Sequence, residues 1–265
     1  MASHHVLVLG GHGKIAQLLT PLLLKRSWTV TSVIRASEQV PTVEKLGAGL
    51  PGKLNVLVRS IDEVTSQDKA LDILKEVKPD YIAWSAGAGG KGGAERTFKI
   101  DRDAAIHFVN AAASIPTITR FLMVSYLGSR RAGASWWPAG EWDEFHQSVN
   151  NGVLANYYKA KIEADEVLYR VSKSSSSLVG INIRPGTLNA ELAGKVELGK
   201  TSHVSSKNGI SREAVAETAS HLLASEGVKN VWLDLLDGDE EIGAAVDRVV
   251  REGVDAAEGE DIYKE

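Results

Sequence analysis

The chain contains no cysteine. That excludes a disulfide framework and any thiolate nucleophile or thiolate metal site. No window approaches the ~18 consecutive apolar residues of a membrane-spanning helix. No charged N-terminal stretch runs into a long apolar one, as a secretion signal would require. An excess of basic residues is also missing: 30 Lys plus Arg stand against 34 Asp plus Glu, for a formal charge of −4. Such a balance gives no electrostatic footprint for DNA or RNA, and no polybasic run suggests a lipid surface. The expectation is a cytoplasmic protein, monomer or homodimer, whose partner is a small-molecule substrate, with no nucleic acid, no membrane and no metal.

What is present is a regular alternation of short apolar runs and amphipathic stretches. Val6–Leu9 reads as a strand buried on both faces. After glycines 10, 11 and 13, the residues Ile15, Leu18, Leu19 and Leu22 recur at helical spacing. Pro21 falls inside that stretch and should kink it or remove a hydrogen bond. Thr29–Ile34 completes a β-α-β unit. Strands are expected again at Leu54–Val58, Tyr81–Trp84, Arg120–Ser125, Leu178–Ile183 and Val231–Leu235. Helices are expected at Ala70–Val77, Thr97–Ala113, Asn151–Ser172, Ser211–Ala224 and Glu241–Arg251. On the Thr97–Ala113 helix, Phe98, Asp101, Ala105, Phe108 and Ala112 share one face. Tyr126–Asn150 reads as irregular and the acidic Glu258–Glu265 tail as frayed. This order gives an α/β class chain with a doubly wound parallel sheet, a Rossmann fold. The expected organisation is one domain over 1–265, with 126–150, 187–210 and 237–265 forming a small substrate-covering region.

The segment LVLGGHGKIAQLL sets Gly10, Gly13 and Ala16 at the spacing G-x-x-G-x-x-A, between an expected strand and an expected helix. Glycine permits the tight turn and the close approach of backbone to a pyrophosphate, and the helix N-terminus presents free N–H groups to it. Gly10, His12, Gly13, Lys14 and Ile15 are therefore candidate cofactor-binding residues. At the end of the second strand, an acidic residue would bind a ribose 2′-hydroxyl. The sequence has Arg35 instead, with no carboxylate before Glu38. A guanidinium suits a 2′-phosphate, so NADP is expected over NAD, with Ser37 and Lys14 as further donors.

Further pieces follow in order: SID after strand three, SAGAGG after strand four, FLMVSYLGS ending strand five, YYKAKIEADEVL on the long helix, IRPGTL after strand six and GISREAVA near the C-terminus. With the glycine loop, they make the chain resemble the short-chain dehydrogenase/reductase superfamily over Val6 to about Leu236. The branch is the atypical or extended one, isoflavone-reductase-like or nitrogen-regulator-like. The resemblance implies that Ser60 and Ile61 border the adenine, although most members carry Asp where Ser60 stands. It implies that Ser85, Ala86 and Gly87 pass under the ribose, and that Pro185, Gly186 and Leu188 flank the nicotinamide.

It further implies a catalytic set of Tyr157, Lys161 and Ser125. Hydride transfer to a carbonyl needs a proton, and a free phenol titrates near pH 10. A cation one helical turn away favours the phenolate, and the i, i+4 spacing puts both side chains on one face. Lys161, Ala164 and Asp165 match the family's K-x-x-A-[DE] continuation and fix the register, leaving Tyr158 as a packing residue. Ser125 would orient the substrate oxygen, with Ser129 as the alternative. Trp136, Trp137 and Trp142 either lid the cofactor or pack on the body or a second subunit. The function expected is an NADP-dependent oxidoreductase acting on a small, fairly apolar carbonyl, alcohol or activated alkene. The alternatives are a non-catalytic NAD(P)-binding redox sensor, or an isomerase, epimerase or dehydratase working through bound nicotinamide.

Overall fold

The computed structural model describes residues 3–89, 92–207 and 209–265. The last glycine of SAGAGG, Gly90, and Asn208 of the expected substrate-covering region lie outside the described residues.

The strands are β1 (His5–Leu9), β2 (Thr29–Ile34), β3 (Lys53–Val58), β4 (Tyr81–Trp84), β5 (Arg120–Val124), β6 (Val179–Pro185), β7 (Leu188–Asn189), β8 (Val196–Gly199), β9 (Ile210–Ser211) and β10 (Val231–Asp237). The helices are α1 (Lys14–Lys25), α2 (Val40–Glu44), α3 (Gln67–Val77), α4 (Gly93–Thr97), α5 (Ala105–Ala113), α6 (Glu141–Phe145), α7 (Ala155–Ser174), α8 (Arg212–Ala224), α9 (Ile242–Glu252) and α10 (Asp261–Lys264). Eight strands form one sheet in the order β3-β2-β1-β4-β5-β6-β10-β8, and β7 pairs with β9 apart from it. All neighbours in the large sheet are parallel except β8, which runs antiparallel to β10 at the edge. The expected doubly wound α/β Rossmann architecture is therefore present.

Period-two alternation divides the core. Val6 and Val8 of β1 face one layer, with Leu19 and Leu23 of α1 and Ala219 and Leu222 of α8. Leu7 and Leu9 face the other, with Ile73 and Leu74 of α3, Phe108 of α5 and Leu168 of α7. The buried stripe of α1 runs through Ile15, Leu19 and Leu23, so Leu18 is turned outward. The helix runs unbroken through Pro21, and only the Gln17 carbonyl loses its helical donor. Because the chain winds to β3 on one side of β1 and returns to β4 on the other, a crevice opens at the carboxyl ends of β1 and β4.

Beyond short added elements such as α2, β7, β8 and β9, the structure departs from the expected elements in three places. The stretch expected as irregular becomes helical at α6, continues as a π-helical run over His146–Val153, and breaks at Gly152 before α7 begins at Ala155. A second π-helical run, Phe98–Ala104, joins α4 to α5. The acidic tail is docked: Ile262 and Glu260 are buried, and Glu260 accepts from the Arg131 and Ala132 amides. A buried carboxylate with two backbone donors and Arg130 beside it holds the segment that charge alone would leave frayed.

Candidate functional site

The glycine loop is shaped by close backbone approach. Gly10 has φ +85, and a Cβ there would stand 2.6 Å from the Ala86 Cα. Its carbonyl accepts from the Gly13 amide at 2.7 Å, while the Gly11 amide donates to Val33 O at 2.8 Å. The loop is thereby pinned between the ends of β2 and β4. Helix α1 then starts at Lys14 with no side-chain cap and no acidic residue in its first turn. Its first amides and its positive dipole end are left for an anion.

Two adjoining cavities lie along this edge and share Gly13, Lys14, Ser85, Ala86 and Gly87. The smaller, about 440 Å³, is also bordered by Gly10, His12, Arg35 and Ile61. Ser60 is not among its lining residues, because its hydroxyl turns to Asp62 Oδ2 at 3.4 Å. Arg59 and Asp62 take part instead, and Asp62 is held by Arg96 at 3.1 Å. Arg35 is exposed, and its amide donates to Gln39 Oε1.

The larger cavity, about 690 Å³, is bordered by Ile15, Asp101, Ser125, Tyr157, Leu188 and Arg212. Pro185 and Gly186, expected beside Leu188, do not border it. The Pro185 carbonyl accepts from the Leu127 amide, and a Cβ on Gly186 would meet Leu236 at 2.6 Å. Of the segments expected to cover the substrate, only 187–210 borders the cavity, through Leu188; the turn Gly152–Asn156 and helix α4 border it as well. Trp136, Trp137 and Trp142 do not line it. Trp137 is buried against Leu127, Val204 and Leu236, its Nε1 donating to Thr201 O at 2.9 Å. Arg130 lies over the rings of Trp136 and Trp137. These rings pack on the body, where their apolar area is covered and the Trp137 indole finds an acceptor, while the buried Trp136 Nε1 has no hydrogen-bond partner among the described residues.

Tyr157 and Lys161 stand on α7 one turn apart, as the spacing requires. Lys161 is 1% exposed and lies beneath the cavity wall, its Nζ donating to Val124 O at 3.2 Å. Ser125 Oγ donates to Asp165 Oδ2, and Ser129 Oγ donates to the same oxygen. Ser125 borders the cavity and Ser129 does not. The ring of Tyr157 packs against that of Tyr126 at 5.1 Å between centroids. Burial raises the Tyr157 phenol well above its usual range, and the Asp101 and Asp165 carboxylates push the same way. The expected lowering by Lys161 is absent: its ammonium is turned to Val124 O and is not among the groups that shift the phenol.

Asp101 was read only as one position on a buried helix face. It is 2% exposed, borders the larger cavity, and accepts from the Ala88 amide at 2.9 Å. Burial raises its pKa, opposed first by the charge of Lys161. A carboxylate on an otherwise apolar stripe was the signal available. Arg59 and Arg212 carried only weaker ones, a position after β3 and a place in GISREAVA.

The NAD(P)H-binding family matches residues 10–226. The UPF0659 protein of Schizosaccharomyces pombe is 33% identical over 253 residues, covering 93% of this chain and 95% of that protein. The uncharacterized sugar epimerase YhfK of Bacillus subtilis is 31% identical over 247 residues, covering 92% of this chain and 99% of the relative. Among solved structures, a putative NAD-dependent epimerase/dehydratase from Bacillus halodurans superposes with a TM-score of 0.73 at 26% identity, covering 93% of this chain and all 100% of the other.

Proposed function

We propose that this chain, which belongs to the NAD(P)H-binding family, is an NADP-dependent oxidoreductase that moves hydride between NADP(H) and a small carbonyl, alcohol or activated alkene. The observation that carries this reading is the pair of adjoining cavities, one bordered by Arg35 and the other by Tyr157, that share the glycine loop at Gly13 and Lys14. The residues fit a dinucleotide. A side chain at Gly10 would collide with the Ser85–Ala86 backbone and force the loop away from β4, and the uncapped start of α1 offers donors where a pyrophosphate would lie. Gly10, His12, Gly13, Lys14 and Ile15 would hold the pyrophosphate, and Ile61 would border the adenine, with Ser60 behind it. Arg35 would hold the 2′-phosphate, since no carboxylate stands there to claim a bare diol. Ser85, Ala86 and Gly87 would run under the ribose. Leu188 would flank the nicotinamide, with Pro185 and Gly186 just before it in the chain.

Bound there, the cofactor supplies or takes up the hydride; the proton is the protein's task. A phenol raised by burial remains protonated at neutral pH and suits a donor, so Tyr157 would protonate the substrate oxygen during reduction. Lys161 would place a positive charge beneath the developing phenolate. Ser125 Oγ donates to Asp165, so its oxygen can accept only from the hydroxyl of an alcohol substrate or product, and a bound carbonyl would take its hydrogen bond from Tyr157.

The similarity to a sugar epimerase favours a second reading, in which the same groups serve an epimerisation or dehydration through tightly retained nicotinamide. Purified protein given NADPH and a panel of quinones, aldehydes and ketones separates the two. Loss of nicotinamide absorbance with at least one of them is the expected result. No oxidation, together with NAD(P) carried through purification, supports the second reading instead.

A further inference from the structure

The GISREAVA segment places a cation at the substrate end of the larger cavity. Ile210 pairs with Leu188, Ser211 caps α8 by accepting from the Ala214 amide, and Arg212 follows as the first helical residue. One arm of its guanidinium is anchored, Nη1 donating to Asn189 O. The rest of the fork has no hydrogen-bond acceptor among the described residues, and Arg212 makes no ion pair among them. Its sequence neighbour Glu213 is engaged elsewhere, accepting from the Ala193 amide at 2.9 Å. The one carboxylate bordering the cavity, Asp101, is already held by the Ala88 amide and sits beside Lys161. The guanidinium is only partly buried: it is held in place by the small β7–β9 sheet while its remaining donors stay accessible to an anion that enters the cavity.

We infer that Arg212 is the anchor for an anionic group of the substrate, so that the preferred substrates carry a carboxylate or a comparable oxyanion at the end away from the reacting carbon. This rests on the proposed oxidoreductase reading for the chemistry, but not for the binding. Tyr157 and Ser125 line the same cavity and would face the reacting oxygen while Arg212 takes the charged end. A guanidinium fork is matched to two carboxylate oxygens, so it fixes orientation as well as affinity. The small, fairly apolar substrate expected from the sequence becomes a small acid whose body contacts Leu188, Val153 and Leu154.

The test uses 4-carboxybenzaldehyde and its neutral counterpart 4-formylbenzamide, titrated calorimetrically into protein loaded with NADP+, where no turnover is possible. The acid is expected to bind about 10-fold or more tighter than the amide, the order of one charged hydrogen-bonded contact. Arg212→Gln should abolish that preference, while the NADP+ affinity stays within about 3-fold of the parent. Arg212→Lys, which keeps the charge without the fork, should retain part of the preference. Equal binding of the two probes, a preference that survives Arg212→Gln, or no binding of the acid would each overturn the inference. If the acid binds through Arg212 but is not reduced with NADPH, the anion site stands and the hydride-transfer reading falls. If NADP+ itself does not bind, the same ratio measured on unloaded protein decides the anion site alone.

Discussion

Tyr157 and Tyr158 are adjacent in sequence and opposite in circumstance. Tyr157 borders the larger cavity, whereas the Tyr158 hydroxyl donates to Arg130 O and packs beside Tyr169 and Trp232. Tyr157→Phe keeps the ring and removes the proton. Turnover of a reducible carbonyl should fall by about 100-fold or more, the usual worth of a positioned acid, while cofactor affinity hardly changes. Tyr158→Phe should keep most of the activity and lose thermal stability by about 1 kcal/mol, for one buried hydrogen bond. Comparable activity losses in steady-state assays of the two variants would remove Tyr157 from the chemistry. At this scale much of the candidate site was legible. Tyr157 and Ser125 border one cavity, Arg35 borders the next, and the glycine loop borders both. Less legible was what surrounds each group. Asp165 lies two turns on along α7 itself, but Asp101 comes from the π-helical run before α5, and its push on the phenol depends on three-dimensional placement that spacing along one helix cannot express.

Among the elements, the apolar runs were the most readable because burial on both faces leaves a continuous signal, as in Tyr81–Trp84. Strands β7, β8 and β9 were not read. They are two to four residues long, and pairing rather than pattern defines them. Helix α6 and the π-helical run after it were also missed, since EWDEF and HQSVNNGV carry no apolar repeat. The tryptophan segment before them was open to two readings from sequence, and the structure seats it on the body. Trp137→Phe therefore removes the indole donor to Thr201 O and leaves a buried carbonyl unsatisfied. It should cost about 1–3 kcal/mol of stability in denaturant melts. KM for any carbonyl substrate should stay within about 2-fold, since one unfavourable hydrogen bond outside the cavity does not alter binding inside it. A large rise in KM with unchanged stability would return the ring to the substrate.

Across the whole molecule, the far ends of β6 and β10 are tied to the C-terminal segment through buried charge. Arg184 Nε stands 3.1 Å from Asp234 Oδ1, Arg130 approaches both Asp234 and Glu260, and all four side chains are essentially inaccessible. Burial pushes the Asp234 carboxyl up to about 6, against the pull of Arg184 and then Arg130. A carboxyl raised in the folded state binds its proton more readily there than when unfolded. Its contribution is therefore most favourable below the unfolded value near 4 and declines as pH rises through about 6. Melts between those limits should show a loss on the order of 2 kcal/mol with rising pH. Asp234→Asn should flatten that slope, and any loss of stability should be confined to pH above about 6, where the ionised carboxylate is the counter-charge of the two guanidiniums. A slope unchanged by the substitution would assign the pH dependence to other groups. The same molecule-wide frame, one sheet with a crevice at its switch point, is what makes the cofactor claim testable without any substrate. Calorimetric titration with NADPH and NADH, on the parent and on Arg35→Ala, tests it most directly. The account predicts that the parent binds NADPH the more tightly, and that Arg35→Ala weakens NADPH by roughly 1.5–3 kcal/mol while leaving NADH nearly unchanged. Failure of the parent to bind either dinucleotide, or equal losses for both in the variant, would contradict it.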